Sequence, residues 1–170
     1  KKVETKGDHE VWNLSRLGIP LLELATAPDM RTPAEVSEVA EYIGMVMRSL
    51  PNVKRGLGTI RQDVNVSIKD GVRVEIKGAQ DLKMIKTLVE YEALRQYNLL
   101  QVYKELIERN ASVGEVVDVT SLFKDSESKV IRSALHKQGV VFALPLYKFA
   151  GMTGLETQPG RRYGSELSDH

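Results

Sequence analysis

The sequence predicts an α+β fold: an antiparallel sheet with helices on one face, followed by a second small α+β domain. Three observations predict it. Residues 58–77 alternate apolar and polar types on either side of Lys69-Asp70-Gly71, the pattern of an antiparallel hairpin covered on one face only. Residues 33–50 and 82–97 repeat apolar side chains at helical spacing. Beyond about residue 114 the pattern restarts, with short apolar runs around one short helix.

Taken in order, Lys1 to Glu10 is polar and lacks the apolar core of a signal peptide. Arg16 to Thr26 reads as a loop feeding a short strand, with Pro20 near its start, where a missing N–H is tolerated. Thr32, Pro33 and Glu35 then form a helix start: an N-cap, a proline at the first helical position and the acidic arm of a capping box. Val36, Val39, Ala40, Ile43, Met47 and Leu50 make one apolar stripe, and Pro51 stops it.

The hairpin has a definable register. A two-residue turn at Asp70-Gly71 places Ile68 opposite Arg73 and mixes the faces. A three-residue loop, Lys69-Asp70-Gly71, keeps Ile60, Val64, Val66 and Ile68 on the same face as Val72, Val74 and Ile76, with Gly71 expected at the left-handed position. Lys77 then lies opposite Asp63, Glu75 opposite Asn65 and Arg73 opposite Ser67. A second helix follows over 82–97, with a narrow stripe of Ile85, Leu88, Val89, Glu92 and Gln96, and a break near Asn98 before it resumes toward Arg109. A boundary falls around Asn110 to Glu115, which divides the chain into 1–113 and 114–170. In the second part a strand is expected over Val116–Val119, a helix capped by Asp125 or Ser126 and running to His136, and a strand over Val140–Leu146. Gly151 to the end has no periodicity and reads as a tail cut inside a second unit.

Composition narrows the function classes. At 170 residues the chain can bury a real core. It has no cysteine, so disulfide frameworks, thiolate metal sites and thiol nucleophiles are excluded. No apolar run approaches the length of a membrane span, and a cytoplasmic setting is the default. The net charge of +1 is spread evenly and offers no basic footprint for nucleic acid. His9, His136 and His170 are scattered without ligand spacing, and Gly56-Leu-Gly58 lacks the Gly-Lys-Ser/Thr ending of a phosphate loop.

Two places put charge where a core would want apolar residues. Glu23 interrupts the run Gly18-Ile-Pro-Leu-Leu-Glu-Leu-Ala. A buried carboxylate must be paired or hold a metal. Glu23 is therefore either a ligand for a cation such as Mg²⁺ or a structural carboxylate paired with Arg16, Arg61 or Lys77. The outward face of the hairpin carries Arg61, Asp63, Asn65, Arg73, Glu75 and Lys77. That set either binds a metal–phosphate group, acids on the metal and Arg or Lys on the phosphate, or is a solvated face. Gly151-Met-Thr-Gly154 and Gln158-Pro-Gly-Arg-Arg162 have the composition of turns.

Three ordered motifs carry a resemblance. Arg16-Leu-Gly-Ile-Pro-Leu-Leu-Glu-Leu-Ala-Thr-Ala-Pro-Asp29, Arg61-Gln-Asp-Val-Asn-Val-Ser67 and Val74-Glu-Ile-Lys77, with Glu90-Tyr-Glu92 and Arg95-Gln96 behind them, resemble the cradle domain of the tRNA-dependent amidotransferase B/E family. Phe142-Ala-Leu-Pro-Leu-Tyr147, Gly151-Met-Thr-Gly-Leu-Glu156 and Arg161-Arg-Tyr-Gly-Ser-Glu-Leu167 resemble the insertion domain that the archaeal branch shares with bacterial-type aspartyl-tRNA synthetases and that the bacterial branch lacks. The resemblance implies that 1–113 is the C-terminal part of the cradle and 114–170 the start of the insertion domain.

It also implies an activity. ATP and Mg²⁺ phosphorylate the glutamate of Glu-tRNA(Gln), and ammonia from a glutamine-hydrolysing D subunit displaces the phosphate. Carried over, Glu23 is a metal ligand, Asp63, Asn65, Glu75 and Lys77 are the catalytic wall on the sheet, and Arg61 and Lys77 hold the nucleotide. The family places a histidine and another glutamate ligand upstream of these motifs, so the 170 residues by themselves are expected to be inactive. Ser15 stands where the family usually has Asn or Asp. The competing reading is a non-catalytic protein- or RNA-docking module with a solvated sheet face. A piece of aspartyl-tRNA synthetase matches only the residues after about 115.

Overall fold

A computed structural model describes every residue except Arg16, Leu57 and His170. The fold is α+β, as expected: four α-helices and five two-stranded antiparallel sheets among the described residues. They divide into two compact units, Lys1–Met30 and Arg31–His170. No described helix is long and apolar enough to cross a membrane.

The first unit contains a hairpin that the sequence did not announce. Strand β1 (Lys2–Lys6) pairs with β2 (His9–Trp12), with Lys6 opposite His9 and an irregularity between Lys2 and Glu4. Gly7, at φ 60°, makes the tight turn possible. Both strands are exposed along their whole length, so no apolar alternation marks them. The strand expected within 16–26 is absent from the described residues 17–30. A strand requires a ladder partner, and the only described pairing in this unit joins β1 to β2.

The second unit begins with α1 (Pro33–Ser49), which has the full capping box. Thr32 Oγ1 accepts from the Glu35 N–H at 3.2 Å, and Glu35 Oε2 accepts from the Thr32 N–H at 2.9 Å and the Arg31 N–H at 2.6 Å. Strand β3 (Val64–Val66) pairs with β4 (Val74–Ile76) in the expected register: Val64 opposite Ile76, Asn65 opposite Glu75, Val66 opposite Val74. Helix α2 (Leu82–Glu108) runs beneath. Val66, Ala79, Ile85 and Val89 form the core, joined by Val36 and Ala40 of α1 and Val64 and Ile76 of the hairpin. Both helices therefore cover the apolar face.

Four details differ from expectation. The strands are shorter than the alternating pattern of 58–77, because Gly56 and Gly58 take positive φ and the Asp63 carboxylate ends the ladder by accepting from the Gly78 N–H at 2.7 Å. The left-handed residue of the loop is Asp70 (φ 65°), not Gly71, within a turn closed by the Gly71 N–H on Ile68 O at 3.0 Å. Val72 is exposed, since the chain has not yet rejoined the ladder. Helix α2 has no break at Asn98. Its side-chain amide, which could compete with the helix backbone, instead donates to Thr157 O at 2.9 Å.

The remaining chain is built from short pieces. Strand β5 (Ser112–Val113) pairs with β8 (Leu146–Tyr147), and β6 (Val117–Asp118) with β7 (Phe142–Ala143). The expected strand 140–146 is thus split. Pro145 lies between the halves and its carbonyl accepts from the Gly114 N–H at 2.8 Å. A 3₁₀ turn over Thr120–Phe123 precedes α3 (Lys129–His136), whose N-cap is Ser128 rather than Asp125 or Ser126. The tail is ordered, contrary to its lack of periodicity: β9 (Glu156–Gln158) and β10 (Arg161–Arg162) form a hairpin with Gly160 at φ 78°, and α4 (Tyr163–Ser168) follows. Polar groups organise it: Thr157 and Glu166 are buried, and Thr157 Oγ1 donates to Glu166 Oε1 at 3.2 Å.

Candidate active site

The hairpin register decides what shares a face. With Val64, Val66, Val74 and Ile76 turned inward, Arg61, Asp63, Asn65, Ser67, Arg73, Glu75 and Lys77 are all exposed. Asn65 and Glu75 are direct cross-strand partners. Lys77, just past β4, has its Nζ 3.4 Å from Glu75 Oε2, so the cation and the acid stand side by side. Asp63 is held by the Gly78 N–H, and the Lys77 ammonium pairs with Glu75 rather than with Asp63. A face with carboxylate, amide and ammonium groups in fixed alternation can hold phosphate oxygens through its cations and orient hydrogen-bonding groups of a substrate.

Glu23 lies in the first unit and is exposed. The burial inferred from its apolar neighbours does not hold, because Leu21, Leu22 and Leu24 are themselves 75%, 58% and 52% exposed and build no core around it. Among the cations weighed as its partners, Arg16 is outside the described residues, and Arg61 and Lys77 belong to the second unit. The described residues contain no group of three or more His, Asp or Glu able to enclose a metal. Leu57 and His170 are likewise outside the described residues.

Sequence reasoning missed a buried polar network behind the hairpin. Gln96 Nε2 donates to Val66 O at 3.2 Å and to Glu92 Oε1 at 2.9 Å, while Gln96 Oε1 faces the Ile68 N–H at 3.4 Å. Arg95 Nη1 donates to Glu92 Oε1 at 3.1 Å, and Arg95 Nε donates to Glu166 Oε1 at 3.0 Å. Arg161 Nε reaches the same oxygen at 2.8 Å, and Arg161 also pairs with Asp169. Burial alone would push the Glu166 carboxyl up; the two guanidinium groups outweigh it and hold it below the usual range. The bonds from Asp169 and Glu166 raise Arg161 in turn. The signal for half of this was present, since Glu92 and Gln96 fall on the apolar stripe of α2. Nothing in the spacing pointed to Glu166.

The chain is thus an α+β protein whose hairpin exposes acid, amide and base on one sheet face, with a charged network behind it. Residues 1–141 match the model for the GatB/GatE catalytic domain, and the chain belongs to that family. It is 56% identical over 99% of its length to the E subunit of glutamyl-tRNA(Gln) amidotransferase from Methanocaldococcus jannaschii, and 57% identical over 99% to that of Methanosarcina acetivorans. It is 54% identical over its whole length to that of Halobacterium salinarum. In each case the chain spans 27% of the relative's length.

Proposed function

We propose that the chain is part of a subunit that converts Glu-tRNA(Gln) to Gln-tRNA(Gln), with residues 1–113 in the cradle and 114–170 opening the insertion domain. The γ-carboxylate of the tRNA-bound glutamate attacks the γ-phosphorus of ATP, the bond to the β-phosphate oxygen breaks, and ADP leaves. The lone pair of ammonia, supplied by a glutamine-hydrolysing partner protein, then attacks the acyl carbon. The carbon–oxygen bond to phosphate breaks, inorganic phosphate leaves, ammonia loses a proton and the amide remains. The setting proposed is the cytoplasm.

The observation that supports this reading is the Asn65–Glu75–Lys77 face, exposed on a hairpin within the family match. Lys77 and Arg61 hold phosphate oxygens. Asn65 and Asp63 orient the glutamate and the nucleotide, and Glu75 sets the Lys77 ammonium. Phosphoryl transfer is mostly positioning and charge stabilisation, which suits a wall with no nucleophile. Mg²⁺, when bound, neutralises phosphate charge, and it commonly takes one or two carboxylates with water and phosphate completing its shell. A lone exposed carboxylate such as Glu23 fits that donor set as one ligand.

The test is ATP-dependent phosphorylation of Glu-tRNA(Gln) by the full-length protein. Lys77→Ala and Glu75→Gln should each lower its rate at least tenfold, about 1.4 kcal/mol of barrier. If both variants phosphorylate at the wild-type rate, the face is solvated and the docking-module reading takes its place.

A further inference from the structure

We infer that Gln96 is a positioning residue for the hairpin, and that the C-terminal segment 157–166 acts on the same hairpin through Glu166, Arg95 and Glu92. The inference rests on the reading of the hairpin face as a catalytic wall.

Strand β3 uses its inner edge to pair with β4. Its other edge presents Val66 O and, just past the strand, the Ile68 N–H. Gln96 meets both with one side-chain amide, as a neighbouring strand would. Because side chains alternate along a strand, fixing the backbone at Val66 fixes the direction of Asn65 and Ser67 on either side of it. The amide cannot turn freely: its Nε2 also donates to Glu92 Oε1, and Glu92 is held by Arg95, which is held by Glu166. Gln96 and Glu92 are only 4% and 8% exposed, and Glu166 5%, so water does not substitute for a lost partner.

A second observation, independent of the charges, points the same way. Gly71 in the hairpin loop does not take positive φ, so backbone freedom is not its reason. A Cβ there would stand 2.5 Å from Gln96 Oε1 and 2.8 Å from Ile68 Cγ1. The loop is thus shaped to admit the Gln96 amide. The chain of contacts runs from the tail hairpin to the backbone of Val66, and each link is polar and directional.

Two variants in the full-length protein separate the parts. Glu166→Gln keeps the shape and removes the charge that holds Arg95. Gly71→Ala displaces the Gln96 amide and leaves the Arg95–Glu166–Arg161 cluster intact. Hydrogen exchange of the backbone amides should rise at least fivefold over residues 64–76 in both variants, and over 157–166 in Glu166→Gln alone, with 36–47 unchanged. The kcat for Glu-tRNA phosphorylation should fall in both with KM for ATP within twofold, and Glu166→Asp should recover part of it. Unchanged exchange over 64–76 in both variants overturns the inference. So does raised exchange with unchanged kcat, provided Glu75→Gln still lowers the phosphorylation rate at least tenfold. Full activity in Glu75→Gln overturns the underlying reading of the face instead, whatever the exchange data give.

Discussion

Arg95 Nε and Glu166 Oε1 lie 3.0 Å apart across a sequence separation of 71 residues, and they join the middle of α2 to the last helix of the chain. Glu166 is buried, and two guanidinium groups share one of its carboxylate oxygens, Oε1. Removing one partner of a buried pair leaves the other uncompensated, which costs several times what a surface pair contributes.

That pair makes stability depend on pH in a definite direction. The Glu166 carboxyl is held below its ordinary value of 4.5 in the folded chain, so between the folded and unfolded values the unfolded chain binds more protons. The stabilisation is fully present above about pH 4.5 and is lost as the pH falls through the folded value. Glu35, held low by the Arg31 and Thr32 N–H groups, and Asp118, held low by Thr120, act in the same direction. Urea unfolding between about pH 3 and pH 6 should therefore show a steeper acid loss in the wild type than in Glu166→Gln. Parallel curves would remove Glu166 from the account.

Ile85 has no exposed surface and sits where α1, α2 and the hairpin meet. Ile85→Ala deletes its buried methyl and methylene groups within the core. The expected cost is about 2–5 kcal/mol, read as a drop in the urea midpoint with an unchanged slope. A loss below about 1 kcal/mol would mean that the hairpin and helices do not pack as described.

The capping box predicts a smaller effect. Thr32→Ala leaves the Glu35 N–H without its side-chain acceptor at the start of α1. The loss should be about 1 kcal/mol by thermal or urea unfolding, and Thr32→Ser should restore most of it.

Glu23→Gln separates the metal reading from the structural one. Side-chain shape is kept and the charge is removed. If Glu23 is a metal ligand of the proposed reaction, losing its charge should cost several kcal/mol of transition-state stabilisation, at least about a hundredfold in phosphorylation of Glu-tRNA(Gln) by the full-length protein. Under the same proposal, glutamine hydrolysis by the proposed partner protein alone should not change. Near-normal phosphorylation under limiting Mg²⁺ would assign Glu23 a structural role.

The hairpin and α1 were legible because each rests on a local rule. Alternation with period two, combined with a loop of fixed length, leaves one register that keeps Val66 beside Val74, and that register also aligns Asn65 with Glu75. The capping box is a four-residue signal, complete within Thr32 to Glu35. Glu92 and Gln96 could be placed on the inner stripe of α2, although not given partners.

Other features depended on distance along the chain. Glu23 looked buried because sequence neighbours were taken for spatial ones, yet the leucines around it are exposed too. The tail looked structureless because its order comes from Thr157, Arg161 and Glu166 bonding to particular groups, which has no period to detect. The apolar pattern by itself thus determined the α+β class, the inward and outward faces of the hairpin, and the helices that cover it, because burial is non-directional and needs only the right spacing. Only the tertiary structure decided that Glu166 closes on Arg95 and Gln96 on Val66. Hydrogen bonds and ion pairs are directional, and their partners are found only once the chain has folded.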